Sequence, residues 1–272
     1  MKSQVEKGQA FYALHQRDAA FVIPNPWDVG TARLLAQIGF EALATTSGGY
    51  AFSLGLSDGA VSREHMMQHV SAIAAATDLP VSADLENGFG DSPETVAETI
   101  GLAARAGASG GSIEDVPRQG SHAYELEHAA DRIRAAVEVA RKLPFRFTLT
   151  ARAENFLVGN PDLADTIKRL QGYQEAGADV LFAPGLTTAE DISAVVRSVD
   201  RPANVVMGLR NSQLSVAQLS EIGVKRISVG SALSRAALGA FLRAARELKD
   251  HGTFEFAQQG VDYREMNAMF RG

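Results

Sequence analysis

Asp84 and Glu86, two positions apart, close one short apolar run, and Glu114 closes the next. Residues at i and i+2 of a strand share a face, so Asp84 and Glu86 point the same way for as long as the strand lasts. With Glu114 on the neighbouring strand they would form a cluster of oxygen ligands. Carboxylates without an accompanying histidine suit a hard cation, Mg²⁺ or Mn²⁺, better than zinc. Mg²⁺ usually keeps several waters and takes only one or two protein carboxylates directly. The competing reading is that the three are solvated loop acids or helix N-caps; their shared position at strand ends favours a site. Arg152 also ends a strand, and its planar fork matches a substrate carboxylate; Glu114 or Glu154 is the alternative partner. Ser47-Gly48-Gly49 follows a further strand. Successive amides there can cradle an anion, or the three residues make an ordinary turn.

Fewer signals come from the remaining polar and aromatic residues. Trp27 and Tyr50 each follow a strand and either wall a pocket or pack. His122 lies in Arg118-Gln119-Gly120-Ser121-His122, a loop that reads as a mobile lid or as plain surface. His65, His69 and His128 fall in helical segments and read as surface or packing residues. The sequence contains no cysteine, which excludes disulfides, thiolate metal sites and cysteine nucleophiles.

These residues need elements to hold them. The chain has 272 residues, 46% hydrophobic and 21% charged, so it can bury a full core. A net charge of -6 argues against a nucleic-acid partner, whose footprint would be basic. The first twenty residues read as a polar helix and not a secretion signal, and no apolar run approaches the ~18 residues that span a bilayer. The expectation is a cytoplasmic protein without a membrane partner.

Buried parallel strands are expected at Phe21–Pro24, Ala42–Thr45, Val81–Asp84, Gly111–Glu114, Phe147–Ala151, Val180–Ala183, Asn204–Met207 and Arg226–Val229. Helical patterns separate them: Glu94–Arg105, capped by Ser92 with Pro93 at its start; Leu126–Lys142; and a helix opened by Pro161 and running to Gln174. A repeated αβ grammar places Gly39, Gly107, Gly177 and Gly223 just past helix ends, where a left-handed backbone suits glycine. Eight strands alternating with helices predict one (β/α)8 TIM barrel over 1–272, with a doubly wound open sheet as the alternative. The tail, about 253–272, packs on a neighbouring subunit or on its own barrel.

The motifs together resemble the isocitrate lyase/phosphoenolpyruvate mutase superfamily over about Phe21 to Leu238. They are Asp28-Val29-Gly30-Thr31-Ala32-Arg33, Ser47-Gly48, Leu54-Gly55-Leu56-Ser57-Asp58, Asp84-Leu85-Glu86-Asn87-Gly88-Phe89-Gly90, Ile113-Glu114-Asp115 and Thr150-Ala151-Arg152. The resemblance implies a (β/α)8 barrel that binds Mg²⁺ and a 2-oxo acid or its enolate. It gives Asp84 the direct metal contact, Glu86 and Glu114 contacts through metal-bound water, and Asp58 a place at the reaction centre. Ser47, Gly48 and Arg152 would hold the substrate. It also implies a homo-oligomer, commonly a tetramer, whose C-terminal helix swaps between barrels.

Departures from the family narrow the chemistry. The lyase loop motif Lys-Lys/Arg-Cys-Gly-His and the mutase motif Lys-x-Asn-Ser are both missing after strand four, and Glu86 replaces an aspartate. The expectation is a Mg²⁺-dependent carbon–carbon lyase that decarboxylates or cleaves a small 2-oxo or 2-hydroxy diacid such as oxaloacetate. The alternatives are phosphorus–carbon chemistry on phosphonopyruvate and a non-catalytic 2-oxo-acid binder.

Overall fold

The computed structural model describes residues 2–118, 120–209 and 214–271. Its strands are β1 (Phe21–Ile23), β2 (Leu43–Ala44), β3 (Val81–Asp84), β4 (Gly110–Glu114), β5 (Thr148–Arg152), β6 (Val180–Phe182), β7 (Ala203–Val206) and β8 (Arg226–Ser228). All pair in parallel, in the order β1-β8-β7-β6-β5-β4-β3-β2. The ring closes between β1 and β2, where the Ala44 N–H donates to the Pro24 carbonyl at 3.1 Å and the Asn25 side chain donates to the Thr45 carbonyl at 2.9 Å. This is the expected (β/α)8 barrel, and the open-sheet alternative falls.

The helices between the strands are α2 (Val29–Ile38), α3 (Ser47–Ser53), α4 (Arg63–Ala76), α5 (Pro93–Arg105), α6 (Leu126–Lys142), α7 (Leu163–Glu175), α8 (Ala189–Arg197) and α9 (Val216–Ile222). Their starts follow the local chemistry. Asp28, Ser62, Ser92, Thr188 and Ser215 each accept an amide two or three residues into the helix they cap. The four glycines of the repeat lie past their helix ends at φ between 97° and 100°. Pro161 does not open α7. Asp162 does, because its Oδ1 takes the Ala164 and Asp165 amides at 2.9 and 3.1 Å.

The helix α1 (Gln4–Leu14) closes the amino-terminal mouth of the barrel. Phe11, fully buried, packs edge-on to Phe21 at the start of β1, and glycine at position 110 makes room for its ring. The other mouth, at the carboxyl ends of the strands, is left for the site.

After β8 come α10 (Ala232–His251), a 3-10 turn (Glu255–Gln259) and α11 (Tyr263–Met269). The tail returns to its own barrel, where the Gln37 side chain on α2 donates to the Met269 carbonyl. Along α10 only Ser234 is buried, while Leu238, Phe241, Leu242 and Leu248 are exposed. Among the described residues no helix is long and apolar enough to cross a membrane.

Candidate active site

A cavity of about 190 Å³ opens at the carboxyl ends of the strands. That is below the roughly 300–1,000 Å³ of drug-sized ligand pockets, so it suits a small acid. Asp84, Arg152, Ser47, Gly48 and Asp58 line it together. The sequence places these residues far apart, and closure of the barrel brings them to one rim.

Arg152 is the hub. Its Nη1 pairs with Asp84 Oδ1 at 3.0 Å, its Nη2 with Glu114 Oε2 at 3.2 Å, and its Nε with Glu154 Oε1 at 2.7 Å. Strand register explains the reach, because Glu114, Arg152 and Phe182 are direct partners on β4, β5 and β6. The guanidinium also lies 5.1 Å from the centre of the Phe182 ring. Burial works against the Arg152 cation, but Glu154, Glu114 and Asp84 together hold it protonated well above the usual range. The expected alternative partners of Arg152, Glu114 and Glu154, are thus both engaged.

Asp84 ends β3 and is held on three sides. Its N–H donates to Thr45 Oγ1 at 2.8 Å, and its Oδ2 accepts the Ser47 N–H at 3.0 Å. Ser47-Gly48-Gly49 is not a bare turn: it is the first turn of α3, capped by Thr46. Gly48 sits close against Asp58: a Cβ there would stand 3.0 Å from Asp58 Oδ2, so that carboxylate would have to give way slightly. Burial, and then the neighbouring Asp84 charge, push the Asp58 carboxyl above its ordinary value.

Glu86 departs from the expected geometry. The strand stops at Asp84, and Glu86 adopts a left-handed backbone with φ 50°. The i, i+2 rule therefore no longer applies. The side chain turns to Arg118, whose Nε donates to Oε2 at 2.8 Å. Arg118 also donates to the Gly59 carbonyl at 2.6 Å and stacks over Phe89, tying the β4 loop across the rim. Among the described residues no three His, Cys, Asp or Glu side chains are arranged to hold a metal. The expected Asp84, Glu86 and Glu114 cluster is thus not a ready-made cage.

The acids nevertheless fit a hydrated divalent ion. Glu86 Oε1 is buried without a hydrogen-bond partner among the described residues. Burial raises the Glu86 carboxyl to about 7, against the pull of Arg118 and with the help of Asp84 and Asp58. Burial also holds the Glu114 carboxyl well above the usual carboxylate range, despite Arg152. A rim with more acid than Arg152 and Arg118 neutralise, and two carboxylates, Asp58 and Asp84, at the cavity wall, fits Mg²⁺ bound largely through water.

The remaining expected residues lie outside the cavity lining. Tyr50 is half-buried and stacks on His69 with ring centres 3.8 Å apart. Trp27 packs beside Gly49, where a Cβ would lie 3.2 Å from its own. His122 is exposed and pairs with Ser121 at 2.8 Å. Gln119, in the same loop, lies outside the described residues. Among the cavity residues that the sequence did not single out are Asn25, Asn204 and Arg226. A charged residue at an inward position of a buried strand was the available clue for Arg226.

A family model described as phosphoenolpyruvate phosphomutase matches residues 11–249. The chain belongs to this family. Its place in the isocitrate lyase/phosphoenolpyruvate mutase superfamily, expected from the motifs, follows. The chain is 29% identical over 274 residues to a 2-methylisocitrate lyase of Halalkalibacterium halodurans, covering 97% of this chain and 89% of that one. It is 60% identical to the crystal structure of a putative lyase/mutase from Burkholderia cenocepacia, with TM-score 0.96 and coverage of 99% and 97%. Oxaloacetate acetylhydrolase in complex with oxalate superposes with TM-score 0.87 at 25% identity, covering 97% and 93%. In this phosphomutase-family chain Asp84, Glu114 and Arg152 close β3, β4 and β5, all at the carboxyl-terminal mouth of the barrel.

Proposed function

We propose that the chain is a Mg²⁺-dependent carbon–carbon lyase acting on a small 2-oxo or 2-hydroxy dicarboxylic acid, by cleavage or decarboxylation. The observation that carries the reading is the joining of Asp84, Ser47 and Arg152 in one small cavity whose rim holds surplus acid. Relatives named 2-methylisocitrate lyase and oxaloacetate acetylhydrolase support the substrate class.

Asp84 would hold the metal directly, with Glu86 and Glu114 reaching it through water. When bound, Mg²⁺ supplies Lewis-acid stabilisation of negative charge developing on the substrate oxygens. The chain supplies the rest. Ser47 and Gly48, at the start of α3, face the substrate carboxylate. Arg152 keeps a fixed positive charge at the wall, held in place by Glu114 and Glu154 before any substrate arrives. Asp58, with its raised proton affinity and its place beside Gly48, is the group that moves a proton at its carboxyl oxygen. His122 would join the site only if its loop folded inward over the cavity.

The exposed apolar stripe of α10 supports a homo-oligomer, since Leu238, Phe241, Leu242 and Leu248 recur at helical spacing. The deciding experiment is turnover of oxaloacetate with Mg²⁺ and its loss on adding EDTA. Phosphate release from phosphonopyruvate in its place would overturn the lyase reading in favour of phosphorus–carbon cleavage. Binding of 2-oxo acids with no turnover would leave a binding protein.

A further inference from the structure

Below the Asp84–Arg152 rim the barrel lumen is polar. Such lumens are ordinarily filled by bulky branched apolar side chains. Here Ser82 on β3, Ser112 on β4, and Asn204, Arg226 and Ser228 on β7 and β8 line the cavity. The small hydroxyl side chains leave it open down to Arg226.

Arg226 is 4% exposed. Its Nε donates to Asn204 Oδ1 at 2.9 Å and its Nη2 to Thr150 Oγ1 at 3.0 Å. Its Nη1 is buried and, among the described residues, donates to nothing. Among the described residues no acid forms an ion pair with it, whereas Arg152 carries an acid on each of its three nitrogens. A buried cation without a counter-charge is strongly disfavoured unless something supplies one. Burial, and then the nearby Arg152 charge, draw the Arg226 guanidinium down to about 9. The floor of the cavity is therefore a positive, partly unsatisfied donor under an acidic rim.

We propose that Arg226 is the receptor for a second carboxylate of the substrate. The acid group beside the reacting carbons sits at the Ser47–Asp84–Arg152 rim, and a carboxylate at the far end descends into the lumen to accept from Arg226 Nη1, between Asn204 and Ser228. This rests on the reading above that a 2-oxo acid occupies the rim, and it names Arg226 as the residue that selects diacids over monoacids.

The test compares 2-oxo acids that differ only in whether the far end is a methyl or a carboxylate: 2-oxobutyrate with oxaloacetate, and 2-oxovalerate with 2-oxoglutarate. Affinities are measured by calorimetry in saturating Mg²⁺, with KM measured in place of a dissociation constant for any acid that is turned over. The wild type is expected to bind the diacid of at least one pair about tenfold to a hundredfold more tightly, the range for a hydrogen bond to a charged group. R226M should abolish that preference and leave the monoacids near their wild-type affinity. N204D should abolish it too, with the arginine still present, because it sets an internal carboxylate against Arg226 Nε. It also keeps the proposal testable should R226M fail to fold. A preference that survives in the folded variants, or a wild type that binds monoacids and diacids alike, overturns the role of Arg226 and leaves the rim reading standing. A wild type that binds none of the four acids in Mg²⁺ overturns both.

Discussion

Glu86 offers the sharpest physical test of the acid-rich rim. Burial raises its carboxyl from 4.5 to about 7 in the folded chain. At about 1.4 kcal/mol per tenfold change in proton affinity, that is on the order of 3 kcal/mol. The sign follows from linkage. A carboxyl whose folded-state pKa is raised binds its proton more tightly when folded. Below the unfolded-state value it is protonated in both states and imposes no penalty. Stability then falls as pH rises from about 4.5 to about 7, and the full penalty is present above that. Replacing Glu86 with Gln removes the titration. In EDTA, the stability of E86Q relative to wild type should rise by about 3 kcal/mol between pH 4 and pH 8, or roughly 6 °C or more in melting temperature for a chain of this size. The assay is thermal or urea unfolding across that range. Saturating Mg²⁺ should raise wild-type stability most at the high-pH end, where Glu86 is ionised. Parallel wild-type and E86Q curves in EDTA would refute the argument that Glu86 is held ionised against its surroundings.

Other outcomes follow from the same geometry. Asp84→Ala should abolish Mg²⁺-dependent turnover, read as lost metal affinity by calorimetry, while the circular dichroism spectrum stays that of a folded barrel. Arg152→Lys should raise KM for the acid substrate and destabilise the chain by about 3 kcal/mol or more, because one ammonium cannot replace a fork that serves Asp84, Glu114 and Glu154; urea unfolding measures the second effect. Arg118→Met should shift the titration of Glu86 to still higher pH, since Arg118 is the group that lowers it; the pH dependence of unfolding in EDTA reads this. Phe241→Asp places a charge in the exposed apolar stripe of α10 and should dissociate the proposed homo-oligomer; sedimentation reads the change in mass.

How much of this was legible before folding depends on the range of the forces involved. The strands and their order of alternation with helices were, because buried parallel strands show as apolar runs and helix ends carry local signals such as Ser92-Pro93 and Gly107. That Asp84, Glu114 and Arg152 share one rim was legible because all three close strands, and strand carboxyl ends meet at one mouth of a barrel. Their pairing was not, since it depends on register between β4 and β5 and on closure of the ring. Glu86 shows the limit of periodicity: the two-residue rule holds only while the strand continues, and a left-handed residue at 86 turned the side chain to Arg118. The small-residue run at Ser47 was visible, but its helical conformation, capped by Thr46, was not.

The sequence by itself determined the alternation of elements, the absence of thiol chemistry and the family of motifs at the strand ends, all of which are written in neighbouring residues. Only the tertiary structure decided that Arg152 is shared by three acids, that Asp84, Glu86 and Glu114 do not converge as a cage, and that Arg226 has no acid partner among the described residues. Those facts depend on distances between residues tens of positions apart, which chain closure sets and local preference cannot.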